Sequence, residues 1–198
     1  AFMVMPSGNT EIRGAGSGRG VMAGGAESLT SPYTISDRMQ YITIATTGNA
    51  TDFGNLSLAR YYVRGTASST RGVFAGGTVP GPSVTDTIDY VTISSQGGAN
   101  DFGDMSVNRN GLAAFGNETR GVLAGGYEAP TQISLMEFIT IATTGNVNSF
   151  GDLSERREIM AGFASPTRGI IAGGAQGATV TNLTADIQFV TLATGGDS

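Results

Sequence analysis

Apolar positions along this chain come in short β-branched or aromatic runs, separated by clusters of glycine, serine, threonine and asparagine. The runs are too short for helices and carry no helical stripe, so the pattern predicts strands throughout. One run recurs four times, as Gly20-Val21-Met22-Ala23-Gly24-Gly25, Gly72-Val73-Phe74-Ala75-Gly76-Gly77, Gly121-Val122-Leu123-Ala124-Gly125-Gly126 and Gly169-Ile170-Ile171-Ala172-Gly173-Gly174. An arginine precedes each copy, and Arg19, Arg71, Arg120 and Arg168 stand 52, 49 and 48 residues apart. A fixed period near this length is the signature of a repeat array.

Two further runs keep the same period. Tyr41-Ile42-Thr43-Ile44 returns as Tyr90-Val91-Thr92-Ile93, Phe138-Ile139-Thr140-Ile141 and Phe189-Val190-Thr191-Leu192. Asp52-Phe53-Gly54 returns as Asp101-Phe102-Gly103 and Ser149-Phe150-Gly151, each followed shortly by Arg60, Arg109 or Arg157. Each unit therefore offers four short strands, as in 158–164, 168–173 and 187–193 with 148–154 from the preceding turn of the repeat. Four antiparallel strands per unit of this length are the blades of a β-propeller. The expected fold is all-β: one four-bladed domain over residues 1–198, with repeats at about 10–57, 58–106, 107–154 and 155–198. Residues 1–7 are expected to complete the last blade and close the ring, because Phe2 and Ser7 align with the Phe150 motif at a wrapped distance of 50 residues. Closure of that kind would leave no open sheet edge. A first residue Ala1 rather than methionine is expected of a processed or excised piece.

Composition narrows the function classes. Glycine reaches 31 of 198 residues, and its fixed places between β-branched runs assign it to turns and close packing rather than disorder. Cysteine, histidine and tryptophan are absent, and all eleven basic residues are arginine. Disulfides, thiolate metal sites, Schiff bases and the usual nucleophile–base pairs are thereby excluded, and no cofactor or metal is expected. The net charge of −5 argues against nucleic acid as a partner, and no apolar run is long enough to insert in a membrane. A pair of carboxylates, as in glycoside hydrolysis, is the remaining catalytic option, with Glu27, Asp37, Asp86 and Glu128 as candidates. No spacing brings two of them together, so no catalytic residue is assigned and the chain is read as a non-enzyme.

A strand ending in Gly-Gly, an aromatic third strand, an aromatic fourth strand and an arginine before the next unit resemble Kelch repeats. Phe53, Phe102 and Phe150 stand where such repeats usually carry tryptophan. The wording of residues 70–77 and 41–54 is similar to Kelch-like repeats in virion proteins of marine phages, especially those infecting cyanobacteria. The resemblance covers nearly the whole chain. It implies a tail fibre or other appendage on the virion surface, with other virion subunits and a host surface glycan or protein as partners. The leading expectation is thus a recognition module; the alternatives are a structural spacer or decoration protein and, last, a polysaccharide-cleaving enzyme.

Antiparallel order places two sets of connections at opposite ends of the blades. One set is nearly identical from unit to unit. The other differs in every unit, over 26–36, 78–85, 127–134 and 175–184 together with the links near 59–64, 108–111 and 155–158. Divergent loops on a shared scaffold are free to serve binding. Tyrosine and arginine are the side chains that most often anchor such contacts. Tyr33, Tyr61, Tyr62, Arg64 and Tyr127 are the candidate ligand-contacting set.

Overall fold

The computed structural model describes residues 2–4, 18–26, 28, 34–81, 83–177 and 182–198. It is all-β: among the described residues there are nineteen strands and no helix. The first sheet is β1 (Phe2–Val4), β2 (Arg19–Ala26), β3 (Ile35–Thr43) and β4 (Thr51–Asn55), in chain order. The second holds β5 (Arg64–Ala67) and β6 (Arg71–Ala75), then β9 (Thr87–Thr92) and β10 (Asn100–Asp104), with the small hairpin β7 (Thr78–Val79) and β8 (Ser83–Val84) between them. The third repeats this with β11 (Ala113–Gly116), β12 (Arg120–Ala124), the hairpin β13 (Tyr127–Glu128) and β14 (Thr131–Gln132), β15 (Leu135–Thr140) and β16 (Asn148–Asp152). The fourth sheet has three strands, β17 (Ala161–Ala164), β18 (Arg168–Ala172) and β19 (Ile187–Thr191). All pairings within these sheets are antiparallel.

The four sheets form a row. The first strands β1, β5, β11 and β17 lie side by side in succession, and among the described residues no comparable contact joins β17 back to β1. Three apolar cores fill the three junctions. Met39 and Phe53 of the first sheet pack with Phe74 and Val91 of the second. Ile88 and Phe102 of the second pack with Leu123 and Ile139 of the third, and Met136 and Phe150 of the third with Ile171 and Val190 of the fourth. Because each middle sheet is covered on both faces, its central strands are apolar without clean alternation.

The N-terminal strand departs from the expected closure. Phe2–Val4 pairs with β2, in the register Phe2↔Ala23, Met3↔Met22 and Val4↔Val21, and so opens the first sheet instead of completing the last. The Phe-Gly step of the true fourth strands marks the difference. Gly54, Gly103 and Gly151 have φ of +141°, +139° and +144°, and a Cβ there would fall on the backbone of Gly97, Gly145 and Gly196 in the following sheet. The alignment that suggested closure places Met3 at that glycine's position. Residues 1–7 thus share two residues of the fourth-strand motif but not its glycine, and the first-strand place beside β2, held by β5, β11 and β17 in the other sheets, takes Phe2–Val4.

The Gly-Gly doublets have a second backbone role. Gly24, Gly76 and Gly125 adopt left-handed φ of +62°, +62° and +59°. The turn lets Gly25, Gly77 and Gly126 donate N–H bonds of 2.9, 3.0 and 2.8 Å to the carbonyls of Arg60, Arg109 and Arg157. Each doublet thus clips the start of the next sheet onto its predecessor.

Candidate functional site

Six of the arginines make two structural sets. Arg19, Arg71 and Arg120 each reach across to the next sheet. Arg19 donates to the carbonyls of Ile93 and Ser94 at 3.1 and 2.9 Å, Arg71 to Ile141 at 2.8 Å, and Arg120 to Ala193 at 3.1 Å and to Leu192. Their guanidinium groups lie over Tyr41, Tyr90 and Phe138 at 4.5, 4.3 and 4.2 Å from the ring centre. Those rings meet Phe53, Phe102 and Phe150 edge-on at 6.0, 6.0 and 6.2 Å. Cation–π and edge-to-face contacts of this kind contribute about 0.5–1.5 kcal/mol each beyond burial.

The second set is fully buried: Arg60, Arg109 and Arg157. Arg60 meets the buried carboxylate of Asp89 at 2.8 Å, and Arg109 meets Glu137 at 2.7 Å. Burial pushes both guanidinium groups below their ordinary value, and the facing carboxylate works in the opposite direction. Asp89 also accepts the N–H and hydroxyl of Ser57, and Glu137 the N–H of Ser106. These pairs hold sheet to sheet and are not open to a ligand. The sequence signal was present, an acid in the middle of an apolar strand at Asp89 and Glu137, but pattern reading missed it.

The variable connections gather along one end of the strands, at every junction between sheets. Each link between sheets is stitched to the hairpin of the sheet that follows. Tyr61 and Thr78 exchange backbone bonds of 3.0 and 2.7 Å, Asn110 and Tyr127 of 3.1 and 2.9 Å, and Glu158 and Ala175 of 3.1 and 2.9 Å. The Asn110 side chain then donates to the Thr78 hydroxyl at 2.6 Å, joining neighbouring links. Tyr61, Thr78, Asn110 and Tyr127 are therefore parts of one connected surface.

Backbone strain marks that surface. Tyr62, Gly111 and Ile159 occupy equivalent places and share a left-handed backbone, with φ of +55°, +61° and +58°. Only glycine adopts this conformation freely; for a β-branched residue such as Ile159 it is a real outlier. The three are chained by backbone bonds, from the N–H of Gly111 to the Tyr62 carbonyl at 3.4 Å and from that of Ile159 to the Gly111 carbonyl at 2.6 Å. Tyr62 and Ile159 nonetheless hold their large side chains in solvent, 49% and 44% exposed. Tyr61 stacks on Tyr62 with ring centres 4.9 Å apart and planes tilted by 44°. Arg64 lies half-buried beside them, its pKa lowered by desolvation and supported by Tyr62. Glu158, buried at the next junction, accepts from the Gln132 amide at 2.8 Å.

Of the five predicted contact residues, Tyr61, Tyr62 and Arg64 form one cluster, and Tyr127 joins it through Asn110 and Thr78. Tyr33 lies outside the described residues. Ile159 and Glu158 were not foreseen. A hint was available, since Gly111 at the register position of Tyr62 and Ile159 points to a left-handed backbone. Asp86 and Glu128, two of the four candidate carboxylates, line one cavity of about 380 Å³ with Ser106 and Asn108.

No protein-family model matches the chain, and no curated protein matches it. One solved structure with a similar arrangement is that of YjhT, at a TM-score of 0.70 and 12% sequence identity over 88% of this chain. The chain spans 63% of the length of that structure. At this identity the likeness concerns the fold alone.

Proposed function

We propose that the four sheets are Kelch-like propeller blades set in an open row and that the protein is a non-enzymatic recognition module of a phage virion appendage. Its ligand is a host-surface glycan or protein. The observation that supports this most is the exposed Tyr62 held on a left-handed backbone at the variable-loop end. Strained non-glycine residues persist where surrounding structure enforces them, and they cluster at binding and active sites. Tyr61 and Tyr62 present two adjoining aromatic rings, the kind of side chain on which sugar rings and protein groups pack, and Arg64 supplies hydrogen-bond donors beside them.

The test is a bacterial surface-glycan array probed with the wild-type chain and with Tyr62→Ala. Binding by the wild type and loss of at least tenfold in the variant support the reading. Binding that is equal in both overturns it. The enzymatic alternative draws on the Asp86–Glu128 cavity. It predicts release of reducing sugar by the wild type and none by Glu128→Gln.

A further inference from the structure

The two ends of the row of sheets are unlike each other and complementary. At each of the three junctions the earlier sheet offers an arginine and apolar side chains, and the later sheet offers backbone carbonyls and apolar side chains. The fourth sheet carries the first kind of face, and among the described residues no further sheet covers it. Phe163 is 59% exposed, whereas Phe115 at the same register is 3% exposed and packs against Gly162 and Gly169 of the next sheet. Ile187 is 72% exposed, against 0% for Ile88 and Met136 at its register. Arg168 rests over Phe189 at 4.6 Å, and among the described residues no carbonyl of another sheet receives it. The first sheet carries the second kind of face. Ile44 is 51% exposed, against 1% for Ile93, Ile141 and Leu192. The carbonyls of Ile44 and Ala45, which correspond to those that receive Arg19 and Arg120, receive no arginine among the described residues.

From this we infer that the fourth sheet of one copy docks on the first sheet of a second copy, head to tail. The new junction would repeat the three that exist, with Phe163 and Ile187 entering an apolar core and Arg168 donating to the Ile44 carbonyl. The occupant is specified by the junctions themselves. Each solves the same surface problem with one pair of faces, and the only described surfaces still bearing those faces are the two ends. Phe163, Ile187 and Phe189 exposed together on one face call for a partner, and unlike faces make a heterologous contact rather than a two-fold one.

Sedimentation of the full chain over a range of concentrations tests this with two variants at exposed positions, Phe163→Asp on the last sheet and Ile44→Asp on the first. The wild type should associate as concentration rises. Each variant alone should be monomeric, with the melting temperature of the wild-type monomer. An equimolar mixture should form a one-to-one dimer and nothing larger, because each variant keeps one intact face. Four results overturn the inference. The wild type stays monomeric throughout; association survives both substitutions; only one substitution abolishes it, the mark of a symmetric contact; or the two variants fail to pair. A monomeric wild type whose melting temperature falls with either substitution would instead show the chain closing on itself. Arg168→Glu with Ile44→Asp serves as a second pair should Phe163→Asp fail to fold.

Discussion

Three buried arginines at one register position make a controlled comparison that the protein itself has set up. Arg60 faces Asp89 and Arg109 faces Glu137, but at the third junction the corresponding residue is Gln188. Gln188 turns instead to Ser154 and to the Ser198 hydroxyl at 2.6 Å. Arg157 is left with Asp186 at 3.7 Å, an exposed carboxylate, and its buried Nε and Nη2 have no hydrogen-bond partner. Glu137→Gln reproduces that arrangement at the second junction. Removing one member of a buried pair costs about 3–5 kcal/mol, and the lower end applies because glutamine keeps an oxygen for Arg109. At about 2–4 °C per kcal/mol for a chain of this length, the melting temperature should fall by roughly 6–12 °C. Gln188→Glu runs the other way. A charge-assisted bond to Arg157 is worth about 1.5–3 kcal/mol and the hydrogen bond donated by the Gln188 amide about 1 kcal/mol, so the net gain is about 1 kcal/mol. Thermal melts and urea titrations of both variants provide the measurement. A loss under about 1 kcal/mol for Glu137→Gln, or a destabilised Gln188→Glu, would refute the claim that these carboxylates lock sheet to sheet.

Phe102→Ala should cost about 3–5 kcal/mol by urea titration, because Phe102 fills the core between the second and third sheets. Ile159→Gly should raise the melting temperature by a few degrees, since it relieves a left-handed backbone worth about 1–2 kcal/mol and removes only a half-exposed side chain. Arg120→Ala should destabilise by about 1.5–3 kcal/mol through its lost bonds to Leu192 and Ala193, while Arg168→Ala at monomeric concentration should stay within about 0.5 kcal/mol of wild type. Equal losses in the two arginine variants would show that the last sheet is already covered.

Much of the architecture was legible because the repeat is written in residues with strong backbone meaning. The Gly-Gly doublets and Phe-Gly steps locate turns and close approaches, and the β-branched runs locate β6, β9, β12, β15, β18 and β19. The N-terminal strand was misplaced because a match of Phe2 and Ser7 outweighed the missing glycine between them. The buried Arg–acid pairs were hidden by distance, since Arg60 and Asp89 are 29 residues apart and become neighbours only when sheets stack. At the variable-loop end, side-chain type identified Tyr61, Tyr62, Arg64 and Tyr127, but nothing in composition announces the strained backbone that holds Tyr62 outward. That feature arises from the links between sheets.

The functional account rests on which end of the sheets meets the ligand, and binding to a glycan found on the array can decide it. Titration calorimetry would compare Tyr62→Ala and Tyr127→Ala at the variable-loop end with Thr46→Glu and Thr143→Glu in the exposed turns at the other end. All four variants would first be matched to wild type by melting temperature. The account predicts weakening of at least tenfold for Tyr62→Ala, a smaller loss for Tyr127→Ala and no change for the two threonine variants. Unchanged affinity in both tyrosine variants, with loss in either threonine variant, would contradict it.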